Sequence, residues 1–136
     1  MTPDLGEINK MSAGSMVEHL DIKFTEIGED YIVASLPVDH RTHQPFGILH
    51  GGASVALAET LGSVASYLTV DPEKFYCVGL EINANHIRSK KDGHVFGKVK
   101  PIHLGRTTQL WEIRITDEQD KLICISRLTL AILNRK

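Results

Sequence analysis

Between His50 and Asp71 the only formally charged side chain is Glu59. A lone carboxylate in an apolar helical stretch needs a partner or a task, because uncompensated buried charge is costly. Gln44 and His50 lie upstream of it, Gly51 and Gly52 stand where the apolar run begins, and Ser63 follows four residues later. Backbone N–H groups at a helix start have no intrahelical acceptor, and glycines there let another molecule approach the main chain closely. Gly51 and Gly52 are therefore candidate oxyanion donors for acyl transfer, a device in which one donor typically contributes about 3 kcal/mol. The alternative is that both glycines serve helix packing.

Eight residues of helix separate Gly51 from Glu59, about 12 Å along the axis. The carboxylate cannot meet the oxyanion donors of its own helix. Two copies with antiparallel helices would bring Gly51 of one chain to Glu59 of the other, making the site shared. Loss of water there makes a carboxylate a stronger base, while hydrogen bonds from Gln or Ser weaken it. The competing reading is a structural Glu59 paired with Arg or His from a strand. Ser63 shares the face of Glu59 and could bind the carboxylate, a substrate group or a backbone carbonyl. It is not placed as a nucleophile, since no G-x-S-x-G elbow exists.

A second cluster is basic. His86 closes an apolar alternating segment, Arg88, Lys90 and Lys91 follow it, and Arg106 comes after a turn at Leu104 and Gly105. Such a group can hold phosphates, or it can be an ordinary solvated hairpin turn. His40 and His43 have an i, i+3 separation, but their loop contains Pro45 and no zinc motif accompanies them. No metal is expected.

The elements that must carry these residues read as α+β. Scattered apolars over residues 5–19 suit a short N-terminal helix or lead-in. Ile22, Phe24 and Ile27, a turn at Gly28 to Asp30, and residues 31–38 read as an antiparallel hairpin, with Pro37 at a frayed or edge-facing end. Residues 39–47 form a loop to the helix, whose apolar positions are not confined to one stripe, as in a helix wrapped by protein. Four β-patterned segments follow at 76–87, 94–102, 107–117 and 122–133, separated by turn signals. One sheet and one long helix leave a sheet face and edges uncovered, so a homodimer is expected.

A chain of 136 residues suits one domain. Its 42% hydrophobic and 24% charged content excludes a disordered or coiled-coil chain, and a net charge of -2 gives no pull toward nucleic acid or acidic membranes. The acidic N-terminus does not read as an export signal, and the weakly charged stretch 51–70 is too rich in Gly, Ala and Ser for a membrane span. Cys77 and Cys124 lack C-x-x-C spacing and read as reduced thiols. A cytoplasmic protein is expected.

Residues 44–63, Gln-Pro-Phe-Gly-Ile-Leu-His-Gly-Gly-Ala-Ser-Val-Ala-Leu-Ala-Glu-Thr-Leu-Gly-Ser, resemble the signature of hotdog-fold acyl-CoA thioesterases. Residues 78–89, 101–105 and 126–130 extend the likeness over nearly the whole chain from about residue 20. The branch it resembles holds phenylacetate-pathway and 4-hydroxybenzoyl-CoA thioesterases, 1,4-dihydroxy-2-naphthoyl-CoA hydrolases of menaquinone synthesis and the proofreading thioesterases of enterobactin synthesis. The resemblance implies a hotdog fold, with a long central helix wrapped by a curved antiparallel sheet, in dimers that pair into tetramers. It implies hydrolysis of an aromatic acyl-CoA with no cofactor beyond the CoA of the substrate.

By the same resemblance Glu59 is the catalytic carboxylate, as general base or nucleophile, and Gly51 supplies the oxyanion N–H. Gln44 and His50 position the thioester carbonyl, Ser63 and His86 support the acyl group or water, and Val64 tunes acyl preference. CoA contacts carry over to Gly79, to His86, Ile87, Arg88 and Ser89, and to His103, Leu104, Gly105, Arg106, Thr107 and Thr108. The alternatives are proofreading of a misacylated aryl carrier protein and a non-catalytic acyl-CoA binding module.

Overall fold

The computed structural model describes residues 4–136. Two short helices, α1 (Leu5–Lys10) and α2 (Met16–His19), precede the hairpin β1 (Lys23–Ile27) and β2 (Ile32–Pro37). The long helix α3 (Gly51–Tyr67) follows, and then β3 (Phe75–His86), β4 (His94–Leu104), β5 (Thr108–Thr116) and β6 (Leu122–Asn134). The expected element order is thus present, with the N-terminal segment forming two helices.

All six strands join one antiparallel sheet in the order β1-β2-β4-β5-β6-β3. After α3 the chain therefore runs to the far edge, and β4 returns to the side of β2. β2 lies inside the sheet, so Pro37 is tolerated as its last residue, opposite His94, rather than on an edge. The curved sheet wraps α3, which packs on β2 to β6.

Strand alternation explains the core. Ala34, Leu36, Val95, Val99, Trp111, Ile113, Ile115, Leu128 and Leu130 point inward and are buried with Leu57, Ala58 and Leu61 of the helix. Small residues set the spacing between layers. A Cβ on Gly97 would lie 2.5 Å from Leu61 Cδ1, and one on Gly62 would collide with Leu128 Cδ2.

Polar contacts pin both ends of α3. At its start the Leu49 N–H donates to the Lys90 carbonyl at 2.7 Å and the His50 N–H to the Thr42 carbonyl at 2.8 Å. Past its end Thr69 Oγ1 donates to the Ser66 carbonyl, Gln109 Nε2 to Thr69 Oγ1 and Trp111 Nε1 to Gln109 Oε1, at 2.7, 2.7 and 2.9 Å. Gln109 and Trp111 are buried, so this relay satisfies polar atoms that would otherwise be costly.

The two sheet edges differ. β1 is shielded by α1, whose Asn9 side chain donates to the Phe24 carbonyl at 3.0 Å and accepts from the Phe24 N–H at 2.9 Å, as a neighbouring strand would. β3 has twelve residues and pairs only with β6. Leu80, 60% exposed, continues the outward face of Tyr76 and Val78, and a bulge between Gly79 and Glu81 then shifts the alternation so that Ile82 and Ala84 face inward.

Candidate active site

The loop entering α3 is built on Thr42, a buried residue whose hydroxyl donates to the Pro37 carbonyl at 2.8 Å. A tight turn then folds back, with the Gln44 N–H donating to the Ile48 carbonyl at 2.8 Å and the Gly47 N–H to the Gln44 carbonyl at 2.9 Å. Gly47 sits at φ 79°, a left-handed conformation that favours glycine. Gln44 Oε1 accepts from the Phe46 N–H, which fixes the glutamine carbonyl and leaves its NH2 group free to donate. Phe46 projects from the turn, 89% exposed.

His50 is the N-cap of α3, and its Nδ1 accepts from the Gly52 N–H at 2.7 Å. This divides the two glycines. Gly52 spends its donor on the cap, and Gly51 presents the open N–H. His86, inward at the end of β3, covers Gly51 so closely that a Cβ there would lie 2.9 Å from His86 Nε2. Gln44, Ile48, Leu49, Gly51, Ser54, His86, Ile87, Arg88, Ser89 and Ile123 line a cleft of about 280 Å³ at this end of the helix. Sequence reasoning assigns no role to Ile48 and Ser54 although they lie within residues 44–63, and only the long-range pairing of β3 with β6 brings Ile123 here.

Glu59 is half-buried on the helix face toward β3, and Ser63 is half-buried one turn further on. Among the described residues Glu59 has no ion-pair partner, so the structural pairing with Arg or His does not form within the protomer. Gly79 is its neighbour, since a Cβ on Gly79 would stand 2.5 Å from Glu59 Oε2. The missing side chain lets the carboxylate lie against the β3 backbone beside the open edge.

Of the residues expected to contact CoA, Gly79 lies beside Glu59, and the others fall into two groups at opposite ends of α3, a helix of seventeen residues and about 25 Å. His86 to Ser89 are at the cleft. His103 to Thr108 form the far β4–β5 turn, tightened by the Gly105 N–H donating to the Thr108 carbonyl at 2.9 Å. There Leu104 lines a separate cavity of about 270 Å³ with Leu68, Trp111 and Tyr31. Val64 is half-buried on α3.

Lys90 is not free to hold a phosphate, because its Nζ pairs with Glu118 Oε1 at 2.6 Å. The ammonium and the His94 N–H hold the Glu118 carboxyl down at about 2. His43 contacts the Lys91 carbonyl through Nε2 at 2.7 Å, a structural use of a residue that spacing offered as a ligand. Among the described residues no group of three or more His, Cys, Asp or Glu side chains could hold a metal ion, and no helix is long and apolar enough to cross a membrane.

A curved antiparallel sheet around one long helix is the hotdog fold. The profile of the thioesterase superfamily matches residues 46–124. The chain is 57% identical to the 1,4-dihydroxy-2-naphthoyl-CoA hydrolase of Escherichia coli, over 95% of this chain and 94% of the relative. It is 56% identical to the proofreading thioesterase EntH of Cronobacter sakazakii, over 95% and 93%. Among solved structures, a mutant thioesterase PA1618 from Pseudomonas aeruginosa superposes with a TM-score of 0.98 at 51% identity, covering 99% of this chain and 97% of that one. The chain belongs to the thioesterase superfamily and hydrolyses acyl-CoA thioesters.

Proposed function

We propose that the substrate is an aromatic acyl-CoA such as 1,4-dihydroxy-2-naphthoyl-CoA, cleaved to the free acid and CoA at a site completed by a second copy of the chain. The observation that carries the site is Glu59, a carboxylate without an ion-pair partner that lies against Gly79 beside the open edge of β3. The relative acting on 1,4-dihydroxy-2-naphthoyl-CoA supports the acyl group.

In this reading β3 pairs with β3 of the second copy, and the antiparallel helices bring one Gly51 to the other Glu59. Two such dimers pair into a tetramer. The Gly51 N–H and the positive end of α3 stabilise the oxyanion, and Gln44 donates to the thioester carbonyl from its free NH2 group. Glu59 takes a proton from water as the oxygen adds to the carbonyl carbon. The tetrahedral intermediate then collapses, the C–S bond breaks, and the thiolate leaves to be protonated. If Glu59 attacks directly, an acyl anhydride forms with loss of thiolate, and water opens it. His50 shapes the helix start through its cap, while Val64 and Ser63 border the acyl group.

The test is thiol release from dihydroxynaphthoyl-, hydroxybenzoyl-, phenylacetyl- and medium-chain acyl-CoA, with an acylated aryl carrier protein alongside. Highest kcat/KM on the aromatic CoA esters is expected, and a preference for straight-chain substrates overturns the assignment. Faster release from the carrier protein would favour proofreading, a second reading supported by the 56% identity to EntH.

A further inference from the structure

The connection between β3 and β4, residues 87–93, presents Arg88 and Ser89 to the cleft, and hydrogen bonds fasten its backbone along its length. The Ile87 and Arg88 N–H groups donate to the Ile123 carbonyl at 2.8 and 3.3 Å, and the Lys90 carbonyl accepts from Leu49. The Lys91 carbonyl meets His43 Nε2, and the Gly93 carbonyl accepts from the Val38 N–H at 2.8 Å. These contacts leave the exposed side chains of Arg88 and Ser89 unused.

One side chain spans the far half of the connection. Glu118 binds Lys90 Nζ through Oε1 at 2.6 Å and the His94 N–H through Oε2 at 2.8 Å. Its carboxylate also fills the space where a Cβ on Gly93 would collide with Oε2. Glu118 is itself presented by a hydrogen-bonded turn. Asp117 Oδ1 accepts from the Gln119 and Lys121 N–H groups at 2.8 and 2.9 Å, and Asp120 adopts φ 63°. A two-oxygen carboxylate bridge from residue 90 to residue 94, held on a hydrogen-bonded turn, constrains the path of a loop as well as its stability.

We propose that Glu118 is a positioning residue for the nucleotide part of the acyl-CoA, acting through Lys90 and His94 to hold Arg88 and Ser89 at the cleft beside Gly51 and His86. The proposal rests on the reading of that cleft as the CoA site. Glu118 does not touch the substrate. Its pairing withdraws Lys90 from the phosphates and leaves Arg88 as the guanidinium of this connection, able to make two parallel bonds to a phosphate.

The consequence is selective. Loosening the connection should weaken capture of the nucleotide while leaving acyl transfer intact. The experiment compares one acyl group carried on CoA and on N-acetylcysteamine, which lacks the nucleotide and its phosphates. Glu118→Ala should raise KM for the CoA ester about tenfold, keep kcat within about twofold, and leave kcat/KM for the truncated thioester unchanged. Lys90→Met should shift the same ratio in the same direction. Glu118→Gln retains an acceptor for the His94 N–H and should lie between wild type and Glu118→Ala.

Equal losses on both substrates, or an unchanged CoA preference in Glu118→Ala, overturn the positioning role while the functional reading stands. A wild-type enzyme with no preference for the CoA ester over the truncated one removes that reading and this proposal with it. Thermal melting of each variant identifies one that fails to fold, in which case Lys90→Met decides.

Discussion

The sheet finishes differently at its two edges. At β1 the strand is short, and the Asn9 side chain occupies both hydrogen-bonding groups of Phe24. At β3 twelve residues run with one side unpaired, apolar side chains stand outward around a bulge, and the Glu59 carboxylate lies just behind. Open edges of this length are normally blunted, because they recruit other strands. Here the first edge is blunted and the second is not. The difference separates a boundary that ends the molecule from one on which a second copy would build.

Removing the carboxylate behind the open edge should have the largest effect. Glu59→Ala is expected to lower thiol release about a thousandfold, within the range for general acid–base groups, with an unchanged melting temperature. Wild-type rates in that variant would break the link between β3 and catalysis. Leu80→Arg comes next. A charge without a partner in a buried interface costs roughly 3 kcal/mol or more, so sedimentation should show dissociation and turnover should fall with the dimer fraction. A fully active monomer would refute the shared site.

Asn9→Ala sharpens the contrast from the other side. Losing two partly buried hydrogen bonds should cost about 1–2 kcal/mol of stability, visible in denaturant unfolding, with assembly and kcat unaltered. Acid supplies the smallest effect, at a point belonging to neither edge. The Glu118 carboxyl is lowered from 4.5 to about 2 by Lys90 and the His94 N–H, so its contribution is present above pH 4.5 and fades as pH falls toward 2. Stability measured across that window should decline less steeply in Glu118→Ala.

Local pattern made much of this architecture legible. Alternation disclosed the hairpin and four later strands, and the change from a polar loop to a Gly-Gly start marked α3 within a residue or two. The isolation of Glu59 was visible as a charge among apolar neighbours. What remained hidden depended on contacts across long stretches of chain. Nothing in residues 75–86 declares that they pair with β6 instead of β4, so the open edge and the lining by Ile123 could not be read. The cap on Gly52 required knowing the His50 rotamer, and the withdrawal of Lys90 required a turn twenty-eight residues away. The likeness to known thioesterases named both sets of CoA residues without showing that α3 keeps them apart in one protomer.

The hydrogen bonds at the two ends of α3 also constrain its motion. Thr42 and Lys90 hold the front, and the Gln109–Thr69 link with Trp111 behind it holds the rear. A slip of one residue would carry Glu59 about 1.5 Å along the axis and swing it about 100° around it, and both fastenings would have to break. The helix therefore behaves as a bolt, not a piston. The depth of the Glu59 carboxylate behind β3 is thus set by contacts at both ends of the helix, neither of which involves Glu59 itself.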